Sequence, residues 1–490
     1  MPYFTLSKQV WWKRLLFWKP LGDNGRSGQL RVNSKQMKTP SIYYQNSYPG
    51  GGGDVTRFIT YTDLRNERIP TFYIFYYLSG QGTFKFTMGY EILNNEPINE
   101  FTIRSREIFC GQREIQTRNG AAIVNPANIS NRHPYNTLTI NNWNPIALLD
   151  SGFGNFLMSS IEKILVTNQN PGTDEVFSVF QRAMPDYFEF CENHSFDVMI
   201  ALDYANKNTD KKWAANVELQ RIANEMINNV DEQIRLLRES ILQLKSNNYN
   251  FAVFAPLHGE NPEQFRDFTN RILEMENEEG GKFDGFAIAP PKKPEERVLS
   301  VKAVRNTLEQ NDDTRPIHAL GSGAIKDVIP LVYAGVDMFD NVTAWRRATD
   351  GSGGSALNVN DPNAVGSFSS FLIPLVDRNG NIITDNQEKV LGYVPLNEIN
   401  TNFSCDCNIC RRFDLTQIKD LYRQGTGNED FYLAKNLLYN HAINQYDLIC
   451  NRLRRDIRND IDIMTLINEI TDPAYRKRTT DLVETIQNFN

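Results

Sequence analysis

From about residue 145 onward, short and nearly continuous apolar runs alternate with longer stretches in which apolar residues recur every three or four positions. The short runs are IALLDS (146–151), DVMIALD (197–203), FAVFAPLHG (251–259), FDGFAIAP (283–290), RPIHALGSG (315–323) and GVDMFDNV (335–342). Strands that are apolar on both faces belong in a parallel sheet covered by helices. The longer stretches predict helices, notably one over 217–246 and one over 262–278. No dinucleotide-binding glycine fingerprint follows the first run. The pattern therefore predicts an α/β protein of the TIM-type (β/α)8 barrel class rather than a doubly wound sheet.

Upstream the pattern is irregular. RIPTFYIFYYLSG and GTFKFTMGYEIL predict two strands joined at SGQG. YPGGGGDVTRF (48–58) reads as a glycine-rich turn, and it lacks the Lys-Ser/Thr pair of a phosphate-binding loop. The first 26 residues predict an amphipathic helix docked on the body. The alternative is a surface that stacks bases on Trp11, Trp12 and Trp18. The expected organisation is a β-rich N-terminal extension (1–140), the barrel (141–400), an inserted or appended zinc-binding subdomain with a C-terminal barrel helix (401–460) and a helical tail (461–490).

The chemistry gathers where the apolar runs end. Asp150, Asp203, His258, Gly321, Ser322 and Asp340 close successive runs. Barrel active sites are built at the C-terminal ends of the strands, so these residues are expected around one mouth. The bland alternative makes each aspartate a helix N-cap.

Net charge is −7, so a nucleic-acid partner would need local basic patches rather than a basic surface. No run of about eighteen apolar residues is present, and no membrane association is expected. The N-terminus has no uninterrupted apolar stretch followed by a small-residue cleavage site, so the expected location is cytoplasmic. Assembly as a homodimer is kept as an open expectation. Three of the six cysteines, Cys405, Cys407 and Cys410, fall within six residues. Thiolates at that spacing converge on one ion more readily than they pair with each other. Zinc takes four ligands, and His441 is the histidine that follows the cluster. A closed set of four protein ligands leaves no position for water, which makes the expected Zn2+ structural. The alternative for His441 is a core histidine on an amphipathic helix.

AGVDMFDNV (334–342), LLDSGFGNF (148–156), HALGSGAIKDVIPLVYAGVDMFD (318–340) and the Cys-x-Cys-x2-Cys…His knuckle together resemble the tRNA-guanine transglycosylase superfamily over roughly residues 145–457. The resemblance implies exchange of guanine in a nucleic acid for a 7-deazaguanine without strand cleavage. It implies Asp340 as the nucleophile, through a covalent Asp-glycosyl intermediate, and Asp150 as the general acid and base. It places base recognition on Asp203, His258, Gly259, Ser151, Gly321 and Ser322. Arg346 and Arg347 are expected on the nucleic-acid backbone, with a solvated loop as the alternative. Three departures from the family pattern stand out. His258 replaces a glutamine, Ala289-Pro290-Pro291 replaces a Gly-Gly-Leu platform, and TAWRRATDG (343–351) replaces a more basic run. They are similar to the DNA-modifying branch, the DpdA or DNA-guanine transglycosylases. The expected polymer is therefore DNA, with tRNA as the alternative and a free base of the preQ0 type as co-substrate. A non-catalytic paralogue serving as a nucleic-acid-binding partner subunit is the rival outside enzymes.

Overall fold

The computed structural model describes residues 15–22, 25–32, 35–45, 84–91, 102–105, 115–118, 121–124, 147–150, 154–168, 171–193, 197–204, 216–322, 325–341, 355–358, 369–372, 417, 449–470 and 473–489. The strands in chain order are β1 (Leu15–Gly22), β2 (Gly25–Val32), β3 (Lys35–Thr39), β4 (Ser41–Gln45), β5 (Phe84–Glu91), β6 (Thr102–Ser105), β7 (Ile115–Arg118) and β8 (Ala121–Val124). They continue with β9 (Ala147–Asp150), β10 (Val198–Ile200), β11 (Ala252–Leu257), β12 (Gly285–Ile288), β13 (Ile317–Ala319), β14 (Met338–Asn341), β15 (Ser355–Asn358) and β16 (Ser369–Leu372).

Eight of these strands form a ring. β4, β5, β9, β10, β11, β12, β13 and β14 pair in that order, every pair parallel, and β14 returns to pair with β4. Carried from Leu148 strand by strand round the ring, the registers return to β9 displaced by eight residues. That stagger is the one at which eight tilted strands close on themselves. β6 is an antiparallel addition to β5.

Two ring strands, β4 and β5, come from the segment expected as an extension, so the barrel begins near Ser41 rather than near residue 141. GTFKFTMGYEIL supplies β5, which pairs with barrel strands on both sides; its expected partner over 68–80 lies outside the described residues. The N-terminal segment also differs from expectation. Residues 15–22 are a strand rather than a helix, paired antiparallel with β2, which pairs in turn with β3.

Two apolar clusters follow from the strand period of two. Leu148, Val198, Ile200, Ala252, Phe254, Ala287 and Met338 fill the barrel interior with Leu30, Val32 and Met37 of the N-terminal sheet. Their sequence neighbours Met199, Ala201, Val253, Ala255, Phe286, Ile317, Ala319 and Phe339 face the helices. The helices Gly154–Thr167, Thr173–Asn193, Pro262–Glu279, Pro294–Gln310 and Ile325–Ala334 follow their strands as the pattern predicts. The helix expected over 217–246 is two, Val217–Asn228 and Val230–Ser246. Asn229 breaks it: its backbone is extended, and its side chain accepts from the amides of Asp231 and Glu232. An asparagine competes with the helix for those donors and caps the next one instead.

The C-terminal segment belongs to the same body. Residues 449–458 are helical, and Arg454 donates to the carbonyls of Lys38 and Pro40, just ahead of β4. The helix Pro473–Gln487 packs on the helices after β12 and β13, and Arg478 reaches Asp327 at 2.5 Å.

A buried ionic cluster ties the N-terminal sheet to the base of β14. Asp337 pairs with Arg305 at 2.8 Å and with Arg26 at 2.9 Å, and it accepts the Ile317 amide at 2.9 Å. Arg305 also donates to the carbonyls of Gly335 and Arg315, and Arg26 to that of Thr314. Burial, reinforced by the neighbouring Arg305, pushes the Arg26 guanidinium down to about 9 despite Asp337. Removing the shared carboxylate would strand two buried cations. Asp337→Asn is therefore expected to destabilise the chain by roughly 3–5 kcal/mol, read as a lowered denaturation midpoint in urea.

Candidate active site

Because every ring strand runs the same way, the C-terminal ends of β9, β10, β11, β13 and β14 share one rim. β14 alternates outward Phe339 with inward Met338, so Asp340 stands on the inner face at the upper end. It is 1% exposed. Its Oδ1 accepts from the Gly321 amide at 2.9 Å and lies 3.1 Å from His318 Nε2. A buried carboxylate is costly unless such donors meet it. Gly321 lies in the turn after β13 with φ +62°, a left-handed backbone that glycine adopts without strain. Ser322 is buried, and its hydroxyl donates to the Leu320 carbonyl at 3.0 Å within the same turn.

Asp203 follows β10 and is nearly buried. Its Oδ2 is 2.6 Å from Nε2 of His258, which follows β11 and is half-buried. The next residue, Tyr204, is held from the helical layer. Gln233 donates to its carbonyl at 2.9 Å and accepts its amide at 3.3 Å. The Tyr204 ring packs edge-on to Phe180 in the outer cluster, away from the rim, and burial pushes its phenol up. Gly259 lies against the Phe265 ring, where a Cβ would come to 3.1 Å.

After β12, Ala289 donates its amide to the Leu257 carbonyl at 3.0 Å. Arg297 holds the rest of this loop, donating to the carbonyls of Pro291 at 3.1 Å and Lys292 at 2.7 Å while it pairs with Asp327 at 2.5 Å. This loop is thereby anchored to the helical layer.

The backbone of Asp150 ends β9, opposite Thr87 of β5. Asp150, Asp203, His258, Gly321 and Asp340 thus belong to strand ends at one rim. Ser151, Arg346, Arg347, Cys405, Cys407, Cys410 and His441 lie outside the described residues. Among the described residues, no cluster of His, Cys, Asp and Glu is arranged to hold a metal ion, and no helix is long and apolar enough to cross a membrane. Two residues beside the site were missed in the sequence: His318 and Gln233. The available signal for His318 was a lone polar residue inside an apolar strand. Gln233 sits in a helix and carries no comparable signal.

A closed ring of eight parallel strands, with buried acids at the C-terminal rim, defines a TIM-barrel protein with a rim site. The family model for queuine tRNA-ribosyltransferase matches residues 129–472, more than half of the chain, and the chain belongs to that family. It is similar to the queuine tRNA-ribosyltransferase of Thiobacillus denitrificans, 26% identical over 211 residues, which are 43% of this chain and 46% of that protein. The enzyme of the same name from Aromatoleum aromaticum is 26% identical over 212 residues, 43% of this chain and 47% of that protein. That of Thermotoga petrophila is 28% identical over 178 residues, 36% of this chain and 39% of that protein. The matched stretch spans less than half the length of each. The resemblance to the tRNA-guanine transglycosylase superfamily is borne out; the names of these three relatives specify tRNA and lend no support to the DNA-modifying branch.

The turn that supplies a donor to Asp340 can be tested alone. Gly321→Ala is expected to lower stability by about 1–2 kcal/mol, because a Cβ disfavours left-handed backbone. Gly321→Asn should cost less, and thermal melts of both variants check the order.

Proposed function

We propose that the chain exchanges a guanine base in a polynucleotide for a free 7-deazaguanine through a covalent glycosyl intermediate on Asp340. The observation that supports the reading is the buried Asp340 carboxylate, held by the Gly321 amide and 3.1 Å from His318 Nε2, at the rim where β9, β10 and β11 also end. Breaking an N-glycosidic bond develops positive charge at C1′ and negative charge on the departing purine. The ionised Asp340 bonds to C1′ as the bond to guanine breaks, and guanine leaves with a proton from Asp150. Asp150 then takes a proton from the incoming base, whose nitrogen displaces Asp340 from C1′ and restores the carboxylate. Asp203, positioned through the Gln233 clamp on Tyr204, reads the guanine edge, with His258 as its partner. The target nucleotide has to leave its stack to reach the rim.

The polymer best supported is tRNA, from the name that the relatives carry, and the same name supports a queuine-type base. The second reading is DNA with a preQ0-type base. It rests on His258, on Ala289-Pro290-Pro291 and on TAWRRATDG, which rebuild the pocket wall and the expected backbone contacts. Arg346 and Arg347 serve the phosphates in either case. Cys405, Cys407, Cys410 and His441 suit a structural Zn2+, since three thiolates and an imidazole complete a closed tetrahedral set.

Incubation with labelled guanine and, separately, tRNA, duplex DNA and single-stranded DNA tests the reading. Label is expected in tRNA. Label in DNA alone selects the second reading, and release of free guanine without uptake points to a hydrolase instead. Asp340→Asn is expected to abolish both uptake and the denaturation-resistant enzyme–polymer adduct seen on gels. Cys407→Ala is expected to lower bound zinc, measured by atomic absorption, and to reduce solubility, with exchange failing only as a consequence.

A further inference from the structure

β13 sends Ile317 and Ala319 to the helical layer, which turns His318 between them to the barrel interior. There it is paired in register with Met338 of β14, two residues before Asp340. His318 is fully buried, and its Nε2 lies 3.1 Å from Asp340 Oδ1. The Gly321 amide reaches the same oxygen at 2.9 Å from the turn that β13 leads into. One strand and its turn therefore deliver two nitrogen groups to one carboxylate oxygen. An imidazole could occupy a core simply as a satisfied polar group. Its alignment with a second donor on the proposed nucleophile gives it a specific task.

We infer that His318 is a positioning residue for Asp340, carrying hydrogen on Nε2 and holding the carboxylate ionised and in one orientation beneath the sugar. The inference rests on the exchange reading above. Charge-assisted hydrogen bonds favour the anionic form of a buried acid and fix its rotamer. Neither effect involves the free base directly, so the loss belongs in kcat rather than in KM for the base.

The test uses the full chain and two variants. His318→Gln can still donate an N–H toward Asp340, whereas His318→Phe fills the space and donates nothing. The Phe variant is expected to lose about ten- to a hundredfold in kcat, with KM for guanine within about twofold, and the Gln variant to recover most of that loss. A second measurement needs no turnover. Imidazole 15N shifts of the wild-type chain, assigned by loss of the signal in His318→Gln, should show hydrogen on Nε2 and should move in Asp340→Asn. A wild-type chain that transfers no base overturns the exchange reading, and the role with it. A wild-type chain that exchanges while His318→Phe keeps its full kcat overturns the role alone. Hydrogen on Nδ1 only also overturns it, whether or not the variants fold.

Discussion

The pairing of β14 with β4 closes a parallel ring, and the site depends on that closure. An open parallel sheet would leave β9 and β14 far apart on one edge-to-edge surface. Closure at a stagger of eight residues bends that surface until the upper ends of all eight strands circle one mouth. Residues as distant in sequence as Asp150 and Asp340 then belong to the same rim. The interior beneath them is packed with Leu148, Ile200, Phe254, Ala287 and Met338, so the mouth is a floor with a site on it rather than a channel.

The two aspartates of DMFD divide the work of β14. Asp337 lies at its lower end and neutralises Arg26 and Arg305, joining the N-terminal sheet and the helical layer to the barrel base. Asp340 lies three residues on, about 10 Å higher at the usual strand rise. There it accepts from the Gly321 amide and lies within hydrogen-bond distance of His318 Nε2. The difference is physical. Asp337 is locked between two guanidiniums as a structural counter-ion, whereas Asp340 faces a backbone amide and an imidazole at the rim.

Two of the three departures of this chain from its family pattern, His258 and Ala289-Pro290-Pro291, follow the neighbouring strands β11 and β12, and the third, 343–351, lies outside the described residues. His258 sits 2.6 Å from Asp203, so the two act as a couple, where a glutamine would contribute an amide. An imidazole presents one ring nitrogen to Asp203 and the other in a fixed direction. The Ala289-Pro290-Pro291 wall lacks the close backbone approach that glycines permit, and Arg297 ties the loop down through two carbonyls.

The sequence by itself determined the strand–helix alternation from 145 onward, the barrel class and the strand-end positions of Asp150, Asp203, His258 and Asp340. These are local properties: an apolar run of a given length, a polar residue at its end, a motif of fixed spacing. It did not reveal that β4 and β5 belong to the ring, because short strands far apart in the chain carry no local mark of their partners. Nor did it reveal the break at Asn229, where one side chain's choice of hydrogen bonds outweighs an unbroken helical period. Only the tertiary structure decided that His318 lies under Asp340 and that Gln233 clamps the backbone beside Asp203. The first contact joins the neighbouring strands β13 and β14 inside the barrel and the second joins a helix to the end of β10, and each hydrogen bond exists only once those elements have packed.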